Sequence, residues 1–163
     1  FLGSFNSDDL ILEISENGSY ELSPTDFSKR YNMKQIALIE KYDSNKIYSI
    51  VYKNGETRDY YLKRFKIETS TIDRKFSLTQ DILHSKIVAA TGEEGYFLRF
   101  NYIAKKGDKK TKEIGIDNFV GIKNWKAIGN KLLGYNRLSS FKIIENSKAS
   151  NNNDTESLEL TLF

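Results

Sequence analysis

The 163-residue chain has no cysteine, one proline (Pro24), one histidine (His84) and no apolar run near the ~20 residues that a membrane-spanning helix needs. Each shortage closes a class of function. Without cysteine there are no disulfides, no thiolate zinc sites and no cysteine nucleophile, a pattern that fits a reducing compartment. The lone histidine sits in Ile82-Leu83-His84-Ser85, where it reads as a partly buried structural group, and no Ser/His/Asp arrangement forms a recognisable motif. No glycine loop of the phosphate-cradling kind is present. Asp8 and Asp9 offer two adjacent acids for a divalent ion, yet such a pair at a strand entry reads first as solvated surface. The ten tyrosines stand in no distinctive motif and read as strand aromatics filling a core. No signal peptide is visible, and a chain that opens at Phe1 without Met is expected to be a piece of something longer.

Basic residues are missing too, but only from the ends. Residues 1–28 hold six acids and no Lys or Arg, residues 29–142 hold 24 Lys/Arg against 12 Asp/Glu, and residues 143–163 hold Lys148 against four acids. The net charge of +3 therefore conceals a strongly basic middle, the charge pattern of a body that meets a polyanion. Three clusters carry it: Lys63, Arg64 and Lys66 with Arg74 and Lys75; Lys105 and Lys106 with Lys109, Lys110 and Lys112 around Gly107; and Lys123, Lys126, Lys131 and Arg137. On turns and edge strands such side chains reach phosphates without reading bases. Period-2 alternation puts Lys63 and Arg64 on opposite faces, so at most one of them points at a ligand.

With aromatic and β-branched residues plentiful, the composition is that of a strand-rich chain. A strand-like run meets a glycine turn and returns to a phenylalanine three times, at Asn17-Gly18, Asn54-Gly55 and Gly107-Asp108. The two Asn-Gly pairs predict two-residue type I′ hairpins. Strands are expected at Leu10–Ile14, Ser19–Leu22, Gln35–Lys41, Ile47–Lys53, Arg58–Ile67, Lys86–Ala90, Phe97–Lys105, Thr111–Ile116 and Phe141–Ile144. Around Ile47–Lys53 both faces are apolar, whereas Leu98, Phe100, Tyr102 and Ala104 share one face with Arg99 and Asn101 opposite. Thr79–His84 is expected to be a short helical turn, and Trp125–Leu133 is either a helical turn or a strand. The turn glycines lie 37 and then 52 residues apart, close to the roughly 40–50 residues of a four-stranded propeller blade. The expected fold is all-β: a propeller-like array of about three four-stranded hairpin units, open or short of blades, over residues 1–145. The tail 146–163 is polar and acidic and reads as flexible. Its apolar end, Leu160, Leu162 and Phe163, resembles peptides that bind sliding clamps, without their leading Gln; docking on its own domain is the other reading.

Three segments resemble the C-terminal domain of the A subunit of bacterial DNA topoisomerase IV, in the gyrase A-like β-pinwheel family. They are Phe1–Phe5, Lys63–Thr71 with Lys75-Phe76, and Ile122-Lys123-Asn124-Trp125-Lys126-Ala127-Ile128-Gly129-Asn130-Lys131-Leu132. The resemblance implies blades that exchange strands with their neighbours and a basic rim that bends duplex DNA to present or select the transported segment. It implies no catalytic residue and no cofactor in this chain. The nucleophilic tyrosine, the magnesium-binding acids and the ATP site would lie elsewhere in a cytoplasmic, nucleoid-associated holoenzyme of A-subunit core and B subunit. The glutamine–basic–glycine box of wrapping-competent gyrase domains is absent, and Lys123–Lys131 keeps spaced lysines and Gly129 only. That departure favours topoisomerase IV-like behaviour. Two rival readings are a protein-interaction module docking through its rim or tail, and a metal-dependent nuclease using acids such as Asp8 and Asp9.

Overall fold

A computed structural model describes residues 3–26, 28–132 and 136–145. The chain is nearly all β. The strands are Leu10–Ser15 (β1), Ser19–Pro24 (β2), Ile36–Lys41 (β3), Tyr48–Lys53 (β4), Tyr60–Phe65 (β5), Lys75–Ser77 (β6), Lys86–Thr91 (β7), Phe97–Ile103 (β8), Lys109–Gly115 (β9), Ile122–Lys123 (β10), Asn130–Lys131 (β11) and Asn136–Ile144 (β12). One turn of helix, Ile116–Phe119 (α1), follows β9, and Met33–Gln35 forms a short 3₁₀ turn. No closed barrel forms among the described residues; the strands make three sheets.

Two compact units divide the chain. One takes Phe1–Glu93 and Val120–Leu133, the other Glu94–Phe119 and Gly134–Phe163. In the first unit, one sheet runs β3-β1-β2-β6 and a second runs β10-β5-β4-β7, with β11 also pairing β5. Chain order and sheet order part company here: β6 follows β5 in sequence yet pairs with β2, Tyr20 opposite Phe76. The first sheet thus takes one strand from the stretch of chain that builds the second. The second unit is a three-stranded sheet, β12-β8-β9, with α1 at its end.

The first unit has a single core. Leu12, Ile14, Tyr20 and Leu22 from one sheet meet Tyr48, Ile50, Tyr52 and Phe65 from the other, with Ile67, Leu78, Ile87 and Trp125. Residues Tyr48–Tyr52 are buried on both faces, as the two-faced apolar pattern predicts. In the second unit Leu98 and Phe100 are buried while Arg99 is exposed, which is the one-sided alternation read from the sequence. Phe100 stacks on Phe141 at 5.7 Å across β8 and β12.

The strand positions follow the sequence to within a few residues, but the turns do not. Gly18 and Gly107 do take positive φ, 97° and 88°. Each closes a four-residue turn, with Gly18 N–H donating to Ser15 O (3.0 Å) and Gly107 N–H to Ala104 O (2.8 Å). Asn17 keeps negative φ, so this is a type I turn ended by a left-handed glycine, not type I′. Asn54-Gly55 departs further. Lys53 pairs with Tyr60, leaving a six-residue connection in which the Asn54 carboxamide accepts from Glu56 and Thr57 N–H. Gly55 has no positive φ; its role is close approach. A Cβ there would lie 1.8 Å from the Leu83 carbonyl oxygen and 2.6 Å from the His84 carbonyl carbon. Thr79–His84 is likewise no helix, because Gln80, Asp81 and His84 all hold positive φ and the segment is a run of tight turns. The described part of Trp125–Leu133 is a turn leading into β11. Strands β6, β10 and β11 are short and carry no pattern of their own. The tail expected to be flexible, with Leu160, Leu162 and Phe163, lies outside the described residues.

Replacing Gly55 with Ala is expected to destabilise the first unit by about 2–4 kcal/mol, because backbone stands in the way of the new methyl. Gly121→Ala meets nothing within 4 Å and should stay within about 0.5 kcal/mol. Urea unfolding followed by fluorescence of Trp125, the only tryptophan, checks both.

Candidate nucleic-acid interface

The basic residues divide between the two units. In the second unit the β8–β9 hairpin ends in Lys105 and Lys106, with Lys109 and Lys110 on the first two positions of β9, and all four are exposed. Among the described residues none of these four is paired with a carboxylate. The start of β12 comes to the same end, since Ile103 faces both Lys109 and Asn136. Arg137 therefore sits exposed beside the hairpin tip, in a bulge where its φ is 48°. Farther from the tip, Arg99 is neutralised by Glu113 at 2.6 Å. One end of this sheet is thus a cluster of five cations, which Coulomb attraction makes a favourable place for phosphates.

In the first unit the cations are handled differently. The segment 122–131 lies along the edge of β5, in parallel through β10 (Ile122 opposite Arg64) and antiparallel through β11 (Asn130 opposite Leu62). Between them it bulges, and Trp125 inserts edge-on against Tyr20 (5.4 Å) and Phe76 (5.5 Å). Asn124 shapes the bulge: its carboxamide accepts from Lys126 N–H and its carbonyl from Ala127 N–H, both at 2.9 Å. Gly129 allows the return, with φ at 92° and Leu62 O at 2.6 Å from where a Cβ would stand. The side chains of Lys123 and Lys126 are left exposed. Lys126 rests over the Trp125 ring (5.3 Å) and Arg74 over the Phe76 ring (5.2 Å), so two cations ride on adjoining aromatics. Lys131 is exposed and paired with Asp59 at 3.1 Å, a weak surface contact. Lys75 is exposed on β6, facing a groove of about 550 Å³ that it shares with Glu13, Glu16 and His84. Lys66 is half-buried.

Lys63 and Arg64 are not on this surface. Arg64 is 7% exposed and its guanidinium donates to Val120 O at 3.3 Å. Lys63 is 1% exposed, and its ammonium donates to Leu78 O (2.5 Å), Trp125 O (2.7 Å) and Ala127 O (3.0 Å). The rings of Phe65 and Tyr52 flank it at 5.3 and 5.8 Å. Both are candidates for phosphate contact, with at most one expected to point at a ligand; this burial corrects that expectation, because both faces of β5 are covered and alternation sends neither side chain to solvent. Three acceptors match the three protons of an ammonium, while burial works against the charge and draws the Lys63 pKa down to about 7. His84, expected to be partly buried, is exposed. Asp9 is tied to Lys41 at 3.2 Å, and no three His, Asp or Glu side chains among the described residues gather as a metal site.

The pH response follows in sign. Between about pH 7 and 10.5 the unfolded chain binds more protons at Lys63 than the folded one, so this group makes stability rise with pH across that window. Tyr52, pushed up to about 12 by burial, and Tyr48, raised by burial as well, act the other way above about pH 10, where the unfolded tyrosines ionise first. Urea-derived stability is expected to climb by at least about 1 kcal/mol from pH 7 to 9.5 and then fall. Lys63→Met should abolish the climb and keep the fall.

No curated protein and no solved structure matches the chain. A family pattern does: that of the topoisomerase C-terminal domain of Bacteroidota, over residues 1–143. This span takes in both the hairpin tip and the segment 122–131, and the chain belongs to the topoisomerase C-terminal domain family.

Proposed function

We propose that this chain is the non-catalytic, DNA-engaging C-terminal domain of the A subunit of a type IIA topoisomerase, of the topoisomerase IV kind. The observation that carries the reading is the hairpin end of the second unit, where Lys105, Lys106, Lys109, Lys110 and Arg137 gather without a pairing carboxylate among the described residues. A tip of this sort grips phosphates and reads no bases, because its donors are flexible point charges on a turn and an edge strand. Lys123, Lys126, Arg74 and Lys75 give the first unit its own exposed cations, with Lys131 and Lys66 secondary. Duplex DNA bound through such contacts is held by its backbone, which suits a domain that presents or selects a transported segment of any sequence. Strand cleavage by a tyrosine, with magnesium and ATP, belongs in this reading to the rest of a holoenzyme at the nucleoid.

A second reading, docking of a protein partner, draws on one observation: Leu83 is 78% exposed at the top of the 79–85 turns, which Gly55 holds by backbone contact.

Fluorescence anisotropy with a short and a ~40-base-pair duplex across a salt series separates the two. Tighter binding to the longer duplex with log K falling steeply in log salt is expected, and Lys109→Ala/Lys110→Ala should lower the slope by roughly 2. Affinity that is weak, independent of length and flat in salt would leave partner docking as the better account.

A further inference from the structure

We infer that Lys63 is a positioning residue for DNA binding: its buried amine holds segment 122–131 in the conformation that leaves Lys123 and Lys126 outward. The inference rests on the DNA-engaging reading and adds a residue that cannot itself reach DNA. Segment 122–131 is held locally only by the Asn124 turn and by two short pairings with β5. Its two strands are two residues each, and Lys123, Asn124 and Lys126 are exposed. What fixes it comes from beneath. Lys63 takes the carbonyls of Trp125 and Ala127, the Tyr52 hydroxyl donates to Ile128 O at 2.7 Å, and the Gln80 carboxamide adds weaker bonds to Lys126 O and Ala127 O, both at 3.2 Å. The third Lys63 bond, to Leu78 O, ties the same ammonium to the chain that follows β6. With Trp125 O and Ala127 O turned inward, Lys126 stands exposed between them, and Lys123 stands exposed two residues before the buried Trp125, at the end of β10. Removing the ammonium leaves the Leu78 and Trp125 carbonyls without their donor in a buried setting, while Ala127 O keeps the Gln80 carboxamide at 3.2 Å. The inexpensive escape is for the segment to lift and let water reach Trp125 and Ala127. Lifting takes both surface lysines with it.

This differs from two simpler roles in ways that can be measured. A lysine touching phosphate would lower the salt slope by about 0.9 when removed, and a lysine serving stability alone would leave the slope of the folded protein unchanged. A positioning lysine lowers it by the contribution of both dependents, roughly 1.8, with an affinity loss on the order of tenfold or more at ~0.1 M salt.

The test uses the full chain with Lys63→Met, the double variant Lys123→Ala/Lys126→Ala, and their combination. Trp125 reports the segment without DNA: a folded Lys63→Met protein should show red-shifted emission and readier quenching by acrylamide. The milder Tyr52→Phe, which drops one anchor and keeps the core volume, should show the same change in smaller degree and serves if Lys63→Met does not fold. With DNA, Lys63→Met should lower the slope as much as the double variant does, and adding it to the double variant should change nothing further. Wild-type emission in both Lys63→Met and Tyr52→Phe, a slope loss near one, or full additivity with the double variant would each overturn the inference. A wild-type chain that fails to bind DNA in a salt-dependent way would sink the functional reading instead, and the Trp125 emission would still decide whether Lys63 holds the segment.

Discussion

A lysine amine buried among three carbonyls is the constraint on which the first unit depends. Lys63 is on β5, its acceptors are on the chain after β6 and on segment 122–131, and the rings of Tyr52 and Phe65 flank it. Those partners lie 15, 62 and 64 residues away in sequence. Without this convergence the Leu78 end and the Trp125 bulge would present carbonyls to an apolar interior, which costs more than most single contacts return. A neutral side chain of the same length could fill the volume but could not satisfy three acceptors at once. The aromatic cluster of Tyr20, Phe76 and Trp125 then closes the other side of the bulge. Surface charge at Lys126 and Arg74 is layered on that cluster and contributes little to holding it.

What could be read in the sequence divides along physical lines. Strands with strong period-2 signals, such as Phe97–Ile103, and strands apolar on both faces, such as Tyr48–Lys53, stood out because burial writes a periodic pattern into residues close in sequence. β6, β10 and β11 did not, because two- and three-residue strands are defined by their partners and hold no period. The Asn54-Gly55 pair misled for a related reason. Glycine there answers to the Leu83 backbone, some 28 residues on, and the turn chemistry of its own neighbours is secondary. His84 misled in a similar way: its apolar neighbours Ile82 and Leu83 suggested burial, while the run of tight turns leaves it exposed along with Leu83.

The basic clusters were legible as composition and only partly as surface. Lys105, Lys106, Lys109 and Lys110 belong to a hairpin tip, where local sequence decides exposure. Lys63 and Arg64 belong to a central strand, where the covering layer decides it. The sequence held one clue: on the face of β5 that carries Lys63, its neighbours two residues away are Tyr61 and Phe65, an apolar setting for a solvated lysine. Three carbonyl acceptors from distant chain left no mark that alternation or charge counting can find.

The first unit is discontinuous in sequence. Its second sheet lacks β10 and β11 until residues 122–131 exist, and the whole of Glu94–Phe119 stands between. A chain emerging from the ribosome therefore completes the β8–β9 hairpin while Lys63 still lacks two of its three acceptors. The lysine is solvated at that stage and loses its water only when Trp125 arrives. Final closure of the unit is thus a late, non-local event with a high contact order, and it waits until an element of the other unit has been synthesised.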